Sequence, residues 1–189
     1  MQKDEEEDRQ QEEDEEDPVT AEWVPDFHWL TEQVAVGGSF PTEQARQLAE
    51  EHGIGAVIDL REEDRDDEGL LRAAGIEFLH LPTTDQFCPS QDALVRGVGF
   101  AREHIERGGR ILIHCEGGIG RAPSLALCVL VDLGFEPLDA LAHAKDCREA
   151  VSPSFDQYQG WARWLESRGK AAPDYHAFGC IAYRHLASG

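Results

Sequence analysis

A chain of 189 residues has room for one domain with its own core and little room for a second. With 41% hydrophobic and 29% charged residues and no apolar run of bilayer length, the sequence reads as a globular protein that does not span a membrane. Its formal net charge of −21 leaves no basic face for nonspecific nucleic-acid binding or for adhesion to an anionic membrane.

Residues 1–20 read as a disordered acidic tail, because eleven acids stand against Lys3 and Arg9 without an aromatic residue to bury. Such a tail keeps a protein soluble or docks on a basic partner. Lys3 followed by acids is unlike a secretory signal. Cys88, Cys115, Cys128, Cys147 and Cys180 have neither paired spacing nor an even count, so free thiols in a reducing, cytoplasmic setting are expected. The histidines are scattered, with no HExxH, and neither a metal nor a cofactor is expected.

The folded domain is predicted to cover residues 23–168, opening with Trp23, Phe27, Trp29 and Leu30. Val34 to Val36 reads as a strand turning at Gly37 and Gly38, Pro41 to Glu51 as a helix stopped by Gly53, and Ala56 to Ile58 as a buried strand. A charged loop from Arg61 to Glu68 precedes a short helix near Leu70 to Ala74 and a strand from Glu77 to Leu81. Pro82 to Pro89 reads as a loop, and Ser90 as the cap of a helix reaching about Arg107. Ile111 to Ile113 is a continuous apolar run, as expected of a strand buried on both faces. Helices over Arg121–Asp132, Pro137–Glu149 and Ser154–Ser167 complete an α/β fold with a mostly parallel central sheet flanked by helices. Residues 169–189, which include Tyr175, Phe178 and Tyr183, read as a docked C-terminal extension with no assigned role.

The chemistry concentrates in His114-Cys115-Glu116-Gly117-Gly118-Ile119-Gly120-Arg121, between the Ile111 strand and the next helix. Three glycines let the backbone turn tightly, so that successive N–H groups and the positive end of the helix can cradle a tetrahedral oxyanion. Arg121 closes that cradle with a planar fork suited to two phosphate oxygens. Loop N–H groups, helix end and arginine all favour the thiolate of Cys115 as a nucleophile. By itself, a cysteine after a strand is more often a small core residue; the arginine six positions on changes that reading. Neither the P-loop spacing GxxxxGK[ST] nor the third glycine of a dinucleotide fingerprint is present. Asp85, in a proline-flanked loop at the end of a predicted strand, is the candidate general acid, with a backbone-capping turn aspartate as the plain alternative.

These residues resemble the HCxxGxxR loop of protein tyrosine phosphatases, and the order of elements from about Phe27 to Leu165 resembles the atypical dual-specificity group. Pro82-Thr83-Thr84-Asp85 is similar to that group's acid loop, and Val57 to Glu63 resembles a strand and acidic loop near its active site. Asp85 precedes Cys115, unlike the order in low-molecular-weight phosphatases, and the body is too short for a tyrosine-specific catalytic domain. The resemblance implies a shallow site and a phosphocysteine mechanism. Cys115 is then the nucleophile, Asp85 the acid and later the base, and Arg121 the clamp; N–H groups from Glu116 through Arg121 hold the phosphate, and His114 orients the loop. The implied substrates are phosphotyrosine and phosphoserine or phosphothreonine in a phosphorylated protein. Alternatives are a non-protein phosphomonoester, a phosphate-binding module without turnover, and a sulfurtransferase. Ala122 stands where the family usually has Ser or Thr, which implies slow breakdown of the phosphocysteine with Ser124 not replacing the hydroxyl. A reversible Cys88–Cys115 disulfide is a further expectation.

Overall fold

The computed structural model describes residues 23–186, so the acidic tail of residues 1–20 lies outside the described residues. Five strands form one sheet in the order β1-β2-β5-β3-β4. They are β1 Phe27–Trp29, β2 Val34–Gly37, β3 Ile54–Arg61, β4 Glu77–Thr83 and β5 Arg110–His114. Only β1 runs antiparallel, against β2; the remaining pairs are parallel. The mostly parallel sheet expected from the sequence is therefore present. The helices are α1 Ala45–His52, α2 Glu68–Ala73, α3 Gln91–Glu106, α4 Arg121–Asp132, α5 Pro137–Cys147, α6 Phe155–Ser167 and α7 Tyr175–Ala182. Short 3-10 turns cover Thr42–Gln44 and Arg184–Leu186.

β5 lies at the centre of the sheet, and alternation along it feeds two cores. Ile111 and Ile113 join the core beneath α3 to α7, while Leu112 joins the smaller core with Leu48 of α1 and Leu71 of α2. Every residue of α4 from Arg121 to Val131 is buried, which makes the helix after the Cys115 loop the hub of the larger core. Truncating a buried leucine there, such as Leu125, would cost roughly 2–5 kcal/mol.

Several boundaries differ from the sequence reading. β4 continues through Pro82 and Thr83, which the sequence places in a loop; β4 is an edge strand, where a residue without an N–H is tolerated. The helix read from Pro41 begins as a 3-10 turn and becomes α-helical only at Ala45. α5 ends at Cys147, because Arg148 is extended. Ser90 caps α3 as expected, and Ser154 with Gln157 forms a reciprocal capping box on α6.

Candidate active site

The loop after β5 emerges at the carboxyl end of the parallel strands, where open α/β sheets present ligands. Its carbonyls are held outward one after another. Glu116 O accepts from Ser39 N at 2.9 Å, and Gly117 O from Arg148 Nη2 at 3.0 Å. Gly118 O accepts from Arg148 Nε at 3.1 Å, and Ile119 O from Ser152 N at 2.9 Å. Gly120 O accepts both the amide and the hydroxyl of Ser124, at 2.9 and 2.8 Å. In a trans peptide the carbonyl of one residue and the N–H of the next point in opposite directions. The N–H groups of Gly117 through Arg121 are therefore turned to the concave side of the loop, where an oxyanion finds donors with no reorganisation. Gly118 makes the tightest bend, with φ +61°, and a Cβ there would strike the Gly37 backbone.

Cys115, 3% exposed, lies on the floor of a cavity of about 190 Å³ that also takes in Asp85, Gln86, Ser152, Gln157 and Arg121. Glu116, Gly117, Ile119 and Gly120 line it; Gly118 packs against Gly37 and offers the concave side its N–H alone. The roomier, open depression of about 560 Å³ by Trp29 and Arg110 brings no nucleophile together.

Arg121 is 2% exposed, and part of its guanidinium is committed. Nη1 and Nη2 form a forked pair with the Glu63 carboxylate at 2.7 Å each, and Nη1 also donates to Thr83 O at 2.9 Å. The edge made by Nε and the second Nη2 proton remains. Nε has no hydrogen-bond partner among the described residues, and the nearest charge is Asp85 Oδ1 at 3.5 Å. That edge has the geometry that takes two oxygens of a phosphate. Glu63 raises the guanidinium's pKa above its ordinary value, with Cys115 and Asp85 adding to the effect against desolvation. In return Arg121 holds the Glu63 carboxyl down to about 2.

Asp85 occupies a turn closed by Phe87 N donating to Thr84 O at 3.1 Å, with Gln86 in the left-handed region at φ +68°. The turn is stapled to α6. Ser154 Oγ donates to Gln86 O at 2.6 Å, Gln157 Nε2 to Phe87 O at 3.2 Å, and Cys88 N to Asp156 Oδ2 at 2.8 Å. The carboxylate is left 65% exposed at the mouth of the cavity, within reach of a leaving oxygen and of water.

The structure also places His114, Cys88 and Ser124, and of these it amends the expectation for Cys88. The His114 ring is fully buried and its Nε2 meets Asp66 Oδ2 at 2.8 Å; Nδ1 has no partner among the described residues, so the ring bonds outside the loop. Asp66 and Asp59 are themselves bridged by Arg61, at 2.7 and 3.1 Å. Asp59, Asp66 and His114 could share a metal ion by distance alone, but the Arg61 cation already sits on both carboxylates. Cys88 does not face Cys115: its sulfur packs on Gly160 of α6, where a Cβ would collide with it, and burial pushes the thiol up to about 12. Ser124 spends its hydroxyl on Gly120 O and does not line the cavity.

The sequence reading missed the loop's outer supports, chiefly Arg148. Only 5% exposed, it also pairs with both oxygens of Asp26, at 2.7 and 2.9 Å, and meets His28 Nδ1 at 3.0 Å. Glu63 was placed in an acidic loop without a role, and its fork with Arg121 needs the fold to be seen.

A family model described as "Polymorphic toxin system, DSP-PTPase phosphatase" matches residues 34–135, more than half of the chain. The chain belongs to the DSP-PTPase phosphatases. As a member of that family it is 28% identical over 136 residues to the phosphatidylglycerophosphate phosphatase PTPMT1 of Arabidopsis thaliana, covering 67% of this chain and 39% of that protein. It is 26% identical over 113 residues to the phosphatidylglycerophosphatase and protein-tyrosine phosphatase 1 of Homo sapiens, covering 57% and 56% of the two chains. The chain thus spans less than two thirds of the length of either relative. Among solved structures it superposes on PTPMT1 in complex with PI(5)P with a TM-score of 0.70 at 22% identity, over 75% of this chain and 95% of that one. It matches Tk-PTP in its active form with a TM-score of 0.69 at 24% identity, over 76% and 99%. These superpositions carry the fold, an α/β sheet flanked by helices, and the family carries a cysteine-type phosphatase chemistry.

Proposed function

We propose that this DSP-PTPase phosphatase hydrolyses phosphomonoesters through a phosphocysteine, and that its substrates are phosphorylated side chains of proteins. The observation that carries the mechanism is Cys115 at the floor of a cavity walled by outward-anchored peptide units and by the unpaired edge of Arg121. The Cys115 thiolate attacks phosphorus as the bond to the leaving oxygen breaks, and Asp85 delivers its proton to that oxygen. A water then attacks the phosphocysteine, Asp85 takes back a proton, and the thiolate departs from inorganic phosphate. Loop N–H groups and Arg121 stabilise the equatorial oxygens in both steps. Presence of the nucleophile, clamp and acid in one cavity favours turnover over phosphate binding alone and over a sulfurtransferase.

The protein substrate rests on the charge around the mouth. Asp64, Asp85 and Glu116 are 66%, 65% and 63% exposed, and Glu62 is exposed beside Thr84. A second negative group next to the scissile phosphate would be repelled there, whereas a phosphoresidue flanked by lysine or arginine would be drawn in. A phospholipid monoester is the second reading. It draws on the relatives' lipid activities and on exposed Phe87, Ile119 and Phe155. The five unpaired thiols suit a reducing, cytoplasmic setting.

The test is phosphate release from p-nitrophenyl phosphate by the parent chain and by Cys115→Ser. It is followed by phosphotyrosine and phosphothreonine peptides with basic or acidic flanks, and by phosphatidylglycerophosphate vesicles. Turnover that requires Cys115 and is fastest on basic-flanked peptides is expected. Preference for the vesicles would replace the protein substrate by the lipid one, and turnover by Cys115→Ser would end the mechanism.

A further inference from the structure

Three consecutive carbonyls of the phosphate loop, those of Gly117, Gly118 and Ile119, are held by one short segment, residues 148–152, which joins α5 to α6. That segment lies beyond the family-matched span and touches the sheet through Arg148, which meets His28 of β1. Its outer side is gripped by a buried ammonium and by α7 with the turn after it. Lys145, fully buried on α5, has its Nζ 2.5 Å from Glu149 O, 2.9 Å from Val151 O and 3.2 Å from Ser152 Oγ, and 2.9 Å from Nδ1 of His185. Tyr183 donates its hydroxyl to Pro153 O at 2.5 Å, and Ser152 Oγ donates to Ala182 O at 3.3 Å. α7 is itself pinned by Phe178, which is fully buried among the rings of Tyr158, Trp161, Tyr175 and Tyr183.

From this chain of contacts we infer that α7 and the turn after it form a brace for the phosphate loop, with Lys145 and Tyr183 as positioning residues, so that C-terminal docking and oxyanion binding are energetically linked. The inference rests on the phosphatase reading of the same loop. Its physical content is simple. Ser152 N–H fixes the Ile119–Gly120 peptide unit and Arg148 fixes the two before it; if residues 148–152 loosen, those units are free to rotate and their N–H groups no longer converge. Linkage is reciprocal, so an oxyanion held in the loop tightens the C-terminal helix by the same factor that the helix adds to oxyanion affinity. The brace touches neither the substrate nor the sulfur.

The test compares the full chain with full-length Tyr183→Phe and Lys145→Met at a temperature where circular dichroism shows all three folded. Tyr183→Phe keeps the ring packing and removes the hydroxyl's bonds, to Pro153 O and with Tyr175. Inorganic phosphate is titrated as a competitive inhibitor of p-nitrophenyl phosphate hydrolysis, and amide exchange of residues 175–186 is followed with and without vanadate. The phosphate inhibition constant is expected to rise about threefold in Tyr183→Phe and about tenfold in Lys145→Met. Vanadate is expected to slow exchange in residues 175–186 of the parent, and less so in the variants. If Lys145→Met does not fold, Tyr183→Phe decides. Unchanged phosphate inhibition in a folded variant, or exchange in α7 indifferent to vanadate, overturns the brace while leaving the phosphatase reading intact. Failure of the parent to bind phosphate or to hydrolyse the ester removes both.

Discussion

Replacing Arg148 by alanine takes away one side chain and strands four acceptors: the carbonyls of Gly117 and Gly118, the Asp26 carboxylate and Nδ1 of His28. The two loop carbonyls dominate the cost, because they lie against the protein and each lost bond there is worth roughly 1–1.5 kcal/mol. Asp26 is 59% exposed and regains water, so it adds little. With the packing of the arginine stem, the expected destabilisation is about 3 kcal/mol, a sizeable part of a domain's margin. The catalytic effect should be larger than the stability effect suggests. Two peptide units become free to rotate, and loss of a single preorganised donor lowers kcat by roughly 10²–10³ in comparable sites. Urea unfolding gives the first quantity; kcat for p-nitrophenyl phosphate and the phosphate inhibition constant give the second. Arg148→Lys should recover part of the stability through Asp26 but little of kcat, since an ammonium cannot fork between two carbonyls and a carboxylate. An alanine variant that unfolds within about 0.5 kcal/mol of the parent and binds phosphate equally well would refute the assignment of Arg148 to the loop.

Asp85→Asn should lower kcat by about 10²-fold or more on phenyl phosphate, and much less on p-nitrophenyl phosphate, whose leaving group needs little protonation; equal losses on both would argue against an acid. The Glu63 carboxyl is held by Arg121 at about 2 against an ordinary 4.5. The stability it contributes is therefore fully present above pH 4.5 and is lost as pH falls from there through about 2; urea midpoints of Glu63→Gln should lack that part of the acid slope seen in the parent. Ala122→Ser should shrink any burst of p-nitrophenol in rapid-quench traces, because the added hydroxyl assists departure of the thiolate. An unchanged burst would place the slow step elsewhere.

The nucleophile and clamp were legible because the eight residues from His114 to Arg121 are contiguous, and their glycines and arginine have little use except around an oxyanion. Asp85 was legible through its prolines and its place after a strand. What supports them was not. Ser39 on one side and Arg148 with Ser152 on the other reach the loop from two separate stretches of chain, and nothing local distinguishes them from ordinary surface polar residues. β1 went unread because three residues on an edge carry too little alternation to signal a strand, and the end of β4 was hidden by Pro82. Gly118 was read as a glycine that lets the loop turn and offer its N–H; that its missing side chain also makes room for the Gly37 backbone needed the fold to be seen. Cys88 shows a different limit: closeness in sequence to Asp85 says nothing about which way a thiol points, and here α6 claims it.

The stapling of the Asp85 turn onto α6 bears on how product leaves. Ser154, Asp156 and Gln157 hold three successive residues, Gln86, Cys88 and Phe87 respectively, so the carboxylate arrives at the cavity with the folded chain and does not wait for a flap to swing. Departure of phosphate then needs only diffusion from an open mouth. Turnover in such a molecule should respond weakly to solvent viscosity, with its rate set by bond making and breaking at sulfur and not by the traffic of ligands past a gate.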